Sequence, residues 1–243
     1  MSTLSERYQW VCEQIDVASA NRQHVSLLAV SKTRSSDEVL DLHRLGQVAF
    51  GENYIQEAVD KINDLKEHNI EWHFIGPLQS NKSRLAAENF AWVHTVDRLK
   101  IAKRLSDQRP AEQPPLNICL QINIDQEDSK SGFLADEVVQ VAVEVSRLPN
   151  LSLRGLMAIP KADTTEAEQT RSFQKMADLL QTINQTLSQE NPDHRPLDTL
   201  SMGMSSDMAT AIHCGATVVR IGTAIFGPRP VSPRPAETKQ DDH

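Results

Sequence analysis

Apolar residues recur along this chain in short runs, each followed by a stretch with apolar positions three and four apart. The first run, Leu27–Leu28–Ala29–Val30, continues through Ser31 into Lys32 and Thr33. Ser35 and Glu38 follow at the spacing of a capping box, and Val39, Leu40, Leu42 and Leu45 keep helical spacing. This pattern predicts a strand ending at Lys32 and then a helix. Further strands are predicted over 48–51, 72–75, 92–96, 117–124, 153–159, 199–202 and 218–221. Helical patterns fall between them, over 55–65, after Lys82, over 98–107 and 134–147, within 166–187, and over 208–213 before Gly215. An amphipathic helix over 4–22, with Val11, Ile15 and Ala18 on one face, precedes the first strand.

Eight strands alternating with helices imply parallel strands joined by crossovers. The expected fold is α/β, a single (β/α)8 TIM barrel with an extra N-terminal helix; an open doubly wound sheet is the alternative. A barrel of this type takes about 250 residues, and the chain has 243. One domain over 1–229 is therefore expected. The proline-rich remainder, 230–243, is expected to be a disordered tail.

Composition removes several classes of function. At 39% apolar and 24% charged residues the chain can bury one large core. A net charge of −8 without a basic run argues against nucleic acid as a main partner. No apolar run approaches the ~20 residues that span a bilayer, and the first ten residues lack the order of a signal peptide. Cys12, Cys119 and Cys214 are odd in number, far apart and without metal spacing. They read as buried small residues in a reducing, cytoplasmic setting.

The candidate chemistry collects at strand exits, the rim that carries function in such barrels. Lys32 leaves strand one. Desolvated or placed near another cation, a lysine loses its proton more readily and can form a Schiff base with an aldehyde. The competing reading is a surface lysine whose stem lies on apolar neighbours. Ser201–Met202–Gly203–Met204–Ser205–Ser206–Asp207 leaves strand seven, and Gly222–Thr223 leaves strand eight. These two loops frequently bind phosphate; the alternative is a turn glycine with serines that cap a helix. Arg220 sits in the apolar run Val218–Val219–Arg220–Ile221. It forms an ion pair inside the barrel or donates to a ligand, such as an unprotonated ring nitrogen. His73 and His94 read as satisfied core or rim histidines. Asn53 and Asn123 contact a ligand or bond loop backbone, and Lys130 faces the rim or solvent. Ser-His-Asp order, paired carboxylates, a P-loop and G-x-G-x-x-G are not evident.

Taken together, several motifs resemble the YggS/PROSC family of pyridoxal 5′-phosphate-binding proteins, the pyridoxal phosphate homeostasis proteins. They are Ala29–Val30–Ser31–Lys32–Thr33, Phe50–Gly51–Glu52–Asn53–Tyr54, the stretch from Trp72 to Lys82, Leu200–Ser201–Met202–Gly203–Met204–Ser205, and Val219–Arg220–Ile221–Gly222–Thr223 with Ile225–Phe226–Gly227. The resemblance implies a barrel similar to the N-terminal domain of alanine racemase, known as fold type III. It implies pyridoxal phosphate held on Lys32 as an internal aldimine. Ser205 and the Gly222–Thr223 backbone would hold the phosphate, Arg220 would face the pyridine nitrogen, and Asn53 would lie near the cofactor. Ser201 and Met204, from the same exit as Ser205, complete the implied cofactor-binding set.

Three functions stay open: a carrier in intracellular pyridoxal phosphate homeostasis without turnover, a racemase of low activity, or a cofactor-free Schiff-base aldolase on a phosphosugar. An unprotonated pyridine is a poor electron sink, and no segment matches the further domain that gives alanine racemase its second base; both favour the carrier. The carrier reading brings apo-enzymes that use pyridoxal phosphate as partners, and a monomer is expected.

Overall fold

The computed structural model describes residues 2–20, 24–127, 130–161 and 164–228. Its strands are β1 (Ser26–Val30), β2 (Ala49–Glu52), β3 (Glu71–Phe74), β4 (Trp92–Val96), β5 (Leu116–Ile122), β6 (Leu151–Ala158), β7 (Thr199–Ser201) and β8 (Val218–Ile221). They close into one parallel barrel in sequence order, with β1 paired to β8. The helices are α1 (Leu4–Ser19), α2 (Ser36–Arg44), α3 (Ile55–Asp64), α4 (Ser83–Asn89), α5 (Leu99–Gln108), α6 (Val138–Ser146), α7 (Glu166–Glu190), α8 (Met208–His213) and α9 (Thr223–Phe226). This is the expected barrel with its extra N-terminal helix, and the open sheet is excluded by the β1–β8 ladder. The proposed tail, 230–243, lies outside the described residues.

Strands covered on both faces read as apolar runs. Leu28, Phe50, Phe74, Val93, Ile118, Leu120, Leu156 and Val219 are all buried. Outside the strands, Val39, Leu42, Ala58, Ile101, Leu105, Phe173, Met176 and Ile183 turn inward from the helices. Capping boxes start α1 (Thr3 with Glu6), α2 (Ser35 with Glu38) and α7 (Thr165 with Glu168), each satisfying two amides that a helix start leaves open. α1 packs on α2, α8 and α9 across the seam where the barrel closes.

Most boundaries shift by one to a few residues from the pattern, and three of the shifts have a visible cause. β1 ends at Val30, not at Lys32: Ser31 still donates its amide to the Gly51 carbonyl (3.0 Å), but Thr33 turns left-handed (φ 64°) and ends the strand. α6 begins at Val138, because Leu134 and Glu137 close a turn on each other first. α1 ends at Ser19 on a left-handed Ala20 (φ 48°).

The residues on either side of Lys32 are held by a buried charged network. The Ser31 hydroxyl donates to Glu52 Oε1 (2.6 Å) at the end of β2. Lys61 Nζ, reaching in from α3, donates to the Ser31 carbonyl (2.8 Å), Glu52 Oε1 (2.8 Å) and Glu57 Oε1 (2.7 Å). Glu57 Oε1 also accepts the Thr33 amide (2.6 Å). Burial pushes the Glu52 carboxyl above its ordinary range, against the pull of Lys61 and Ser31. Removing one member of a buried pair strands the other charge, which costs about 3–5 kcal/mol. Lys61→Met should therefore destabilise the protein by that order in denaturant titrations. Lys61→Met combined with Glu52→Leu should recover much of the loss; equal stability of Lys61→Met and wild type would contradict the role given to Lys61.

Candidate functional site

A cavity of about 310 Å³ opens at the carboxyl ends of the strands, the face on which barrels of this type carry their sites. That volume lies in the range of small-molecule pockets. Its aliphatic wall is Val30, Ile75 and Ile159, the last residue of β1 and the first beyond β3 and β6. Lys32 enters two residues beyond β1 and Asn53 one beyond β2. Met204, Ser205 and Ser206 come from the loop after β7, Gly222 and Thr223 from the exit of β8, and Arg220 from β8 itself. Seven of the sequence-derived candidates therefore meet: Lys32, Asn53, Met204, Ser205, Arg220, Gly222 and Thr223.

The glycines of the two loops are there for steric reasons. Gly203 has φ +96°, and a Cβ on it would lie 2.7 Å from the Ala211 side chain. A Cβ on Gly222 would lie 3.2 Å from the Val30 carbonyl and press the β8 exit off β1. Ser205 and Ser206 do not cap α8. Its N-cap is Asp207, whose carboxylate instead accepts the Met204 amide (2.6 Å) and folds the loop back. Both serines stay exposed. Gly222 is the N-cap of α9 and carries no side-chain cap, and the first amides of a helix have no partner within it.

Arg220 is buried, and burial lowers its pKa to about 10, so it remains a cation at neutral pH. Nη1 donates to the Ser201 carbonyl (2.5 Å) and hydroxyl (2.9 Å), and Nη2 to the Ala158 carbonyl (2.9 Å). A guanidinium has five N–H donors; three are used here, so two are left at the cavity wall. The ion-pair reading is not what is seen: these partners are a hydroxyl and two carbonyls. Asn53 Oδ1 is buried with no hydrogen-bond partner, an acceptor that a ligand's donor would satisfy.

Ser201 is not brought to the cavity. It is fully buried in β7, where its hydroxyl joins Arg220 to His94. Asn123 bonds its own loop, donating to the Glu127 and Lys130 carbonyls and accepting from the Glu127 amide. Lys130 Nζ donates to the Ile159 carbonyl (3.1 Å) and so holds one wall residue.

His73 and His94 are satisfied interior histidines. His73 Nδ1 lies 2.9 Å from His94 Nε2, and His73 Nε2 lies 2.8 Å from Glu71 Oε1. His94 Nδ1 lies 2.8 Å from the Ser201 hydroxyl. Burial lowers the pKa of both rings. Glu71 partly offsets this at His73, while His73 and Arg220 push His94 further down. The sequence assigns no site role to Glu71, nor to Val30, Ile75 and Ile159, which it places in strands without saying that they wall a cavity. The alternation of a strand does put Glu71 on the face of His73, two residues on. Among the described residues no group of histidine, cysteine and carboxylates could hold a metal, and the cysteines are free. No described helix is long and apolar enough to cross a membrane.

The family described as "Alanine racemase, N-terminal domain" matches residues 13–230. A pyridoxal phosphate homeostasis protein of Vibrio alginolyticus is 51% identical over 240 residues, covering 96% of this chain and 100% of its own. PipY of Synechococcus elongatus, solved with PLP bound, is 34% identical, superposes with a TM-score of 0.79 and covers 93% of this chain and 100% of its own. An alanine racemase of Corynebacterium glutamicum (17% identical, TM-score 0.68, 91% of this chain and 62% of its own) shares the fold.

The two buried rings predict an acid-sensitive fold. Folded, both resist protonation; unfolded, each titrates near its ordinary value of 6.5. Below about pH 6.5 the unfolded chain binds more protons, so stability falls as pH drops through that value toward the lowered folded ones. The slope is at most about 1.4 kcal/mol per pH unit for each ring. Glu52, raised by burial, acts in the opposite sense in the range just above its ordinary 4.5. Denaturant titrations between pH 7.5 and 5.5 should show the decline, and a flat profile would contradict it.

Proposed function

The chain belongs to the family of pyridoxal phosphate homeostasis proteins, within the alanine racemase N-terminal domain family, and we propose that it binds pyridoxal 5′-phosphate at the rim cavity and holds it covalently through Lys32. The observation that carries this is the convergence, in one cavity, of an amine, a donor-only cation, an orphaned acceptor and two hydroxyl-bearing loops. These residues fit the cofactor. When bound, pyridoxal phosphate supplies an aldehyde that condenses with a primary amine and a ring that draws electrons from what is attached.

Lys32 would take the aldehyde carbon. Ser205, with Ser206 beside it, and the Gly222–Thr223 main chain would hold the phosphate. Arg220 would direct its remaining N–H bonds at the pyridine nitrogen. Because a guanidinium donates and does not accept, it keeps that nitrogen unprotonated. Asn53 and Met204 would line the cofactor, and Ser201 serves it by holding Arg220.

The same chemistry favours a carrier over an enzyme. A neutral ring stabilises a carbanion weakly. Racemisation also needs a second base opposite Lys32, and the described residues lining the cavity include no carboxylate, imidazole, phenol or thiol. The names of the curated relatives denote homeostasis rather than a reaction. The role that follows is storage and delivery of the cofactor in the cytoplasm, by a monomer, to enzymes that lack it; the free cysteines suit that compartment.

Borohydride treatment of protein loaded with pyridoxal phosphate should leave a pyridoxyl label on the peptide that contains Lys32. Lys32→Ala should fold, lose the visible absorbance of the loaded protein and take no label; a label of wild-type yield elsewhere would refute the assignment. Loaded protein given L-alanine, L-serine or L-glutamate should form D-amino acid far more slowly than the ~10 per second typical of enzymes. Turnover at that rate, lost in Lys32→Ala, would establish a racemase instead.

A further inference from the structure

The hydrogen bonds around the two histidines join into one chain through the barrel. It starts at Arg220 in the cavity wall and passes through the Ser201 hydroxyl (2.9 Å), His94 (2.8 Å) and His73 (2.9 Å). It ends at the Glu71 carboxylate (2.8 Å) on the first residue of β3, at the opposite end of the barrel. Four strands contribute, and Ser201 and His94 are fully buried.

Chemistry at the two ends fixes every proton between them. Arg220 can only donate, so the Ser201 oxygen accepts from it. The Ser201 proton then goes to the remaining neighbour, His94 Nδ1. His94 must carry its own proton on Nε2, and it donates this to His73 Nδ1. His73 is left with its proton on Nε2, facing Glu71, and an ionised carboxylate can only accept. Reversing the chain would give the Ser201 proton no acceptor and set a bare imidazole nitrogen against a carboxylate. Both rings are neutral in the allowed arrangement, as their lowered pKa values require. Glu71 itself is held below the ordinary carboxylate range, first by its bond to His73.

We propose that Glu71, His73 and His94 are positioning residues of the rim cavity: the chain locks the Ser201 hydroxyl, and through it the direction in which Arg220 presents its two remaining N–H donors. If Ser201 loses its acceptor, the hydroxyl rotates and Arg220 loses one of its three anchors. A carboxylate at the far end of the barrel thus acts on the cavity through four hydrogen bonds.

The chain itself is tested on protein without cofactor. In long-range proton–nitrogen NMR spectra near pH 7, both His73 and His94 should be neutral with the proton on Nε2. Glu71→Leu alters a half-exposed residue and should leave the protein folded, if somewhat less stable, yet shift the ring nitrogens of His94 as well as those of His73. Glu71→Gln keeps an acceptor oxygen and should restore the wild-type signals. An Nδ1 proton on either ring, or His94 signals untouched by Glu71→Leu, would overturn the chain.

The effect on the cavity rests on the cofactor reading and is measured separately, as the affinity for pyridoxal phosphate. Glu71→Leu should weaken it about tenfold, the order of one lost hydrogen bond, and Glu71→Gln should restore it. Unchanged affinity in Glu71→Leu would overturn the positioning role. Failure of wild-type protein to bind pyridoxal phosphate would refute the cofactor reading and leave the tautomer result to decide the chain.

Discussion

A guanidinium inside a barrel must find acceptors or the barrel does not form around it. Arg220 finds them on the two preceding strands: both oxygens of Ser201 on β7 and the carbonyl of Ala158 at the end of β6. Its own amide donates to the Gly203 carbonyl (3.0 Å), which ties the loop after β7 to β8. One side chain and its backbone thus join three neighbouring strand exits, and the wall residues Ile159, Met204 and Ser205 all follow from those exits. The register of β8 on β1, with Arg220 opposite Leu28, then sets this group beside the strand that delivers Lys32.

Lys32 is presented by a different device. Its immediate neighbours, Ser31 and Thr33, are held by Glu52, Glu57 and Lys61, so the turn that carries it is fixed from both sides. Thr33 accepts a left-handed conformation there, which costs a non-glycine residue about 1 kcal/mol or more. The bond from its amide to Glu57 helps to offset that cost. The Arg34 guanidinium continues the restraint: it donates to the Gly227 carbonyl (2.6 Å) and lies over the Phe226 ring, binding the turn after β1 to the end of α9.

The barrel was legible because parallel strands buried on both faces leave apolar runs, and helical spacing separates them, with a capping box at the start of α1, α2 and α7. β4, β8 and α8 have the bounds that the pattern predicts. Less legible were elements shorter than a pattern, such as α9 with four residues and the 3-10 turn at Ser80–Lys82. The rim residues could be found because strand exits are countable. Depth could not: Ser201 and Ser205 are four residues apart and alike in sequence, yet one is sealed under Arg220 and the other is open to solvent. A strand and a loop separate them, and only the closed barrel reveals which serine faces which way. Nor could spacing reveal the partnership of His73 with His94, because it depends on the β3–β4 pairing across 21 residues.

Both polar devices are costly in the interior. Desolvating Glu52, Lys61 or Arg220 takes back stability that an apolar side chain of similar size would add. An interior built for stability alone would place leucine and phenylalanine at these positions, as it does at Leu28, Phe50 and Phe74. The polar groups sit instead where they touch Ser31, Thr33 and Ser201, the residues that aim Lys32 and Arg220. Hydrogen bonds are directional and apolar contacts are not. A site that must bring an amine from the exit of β1 and a guanidinium from the neighbouring β8 into one small cavity needs direction, and the charged network behind the first and the imidazole chain behind the second supply it.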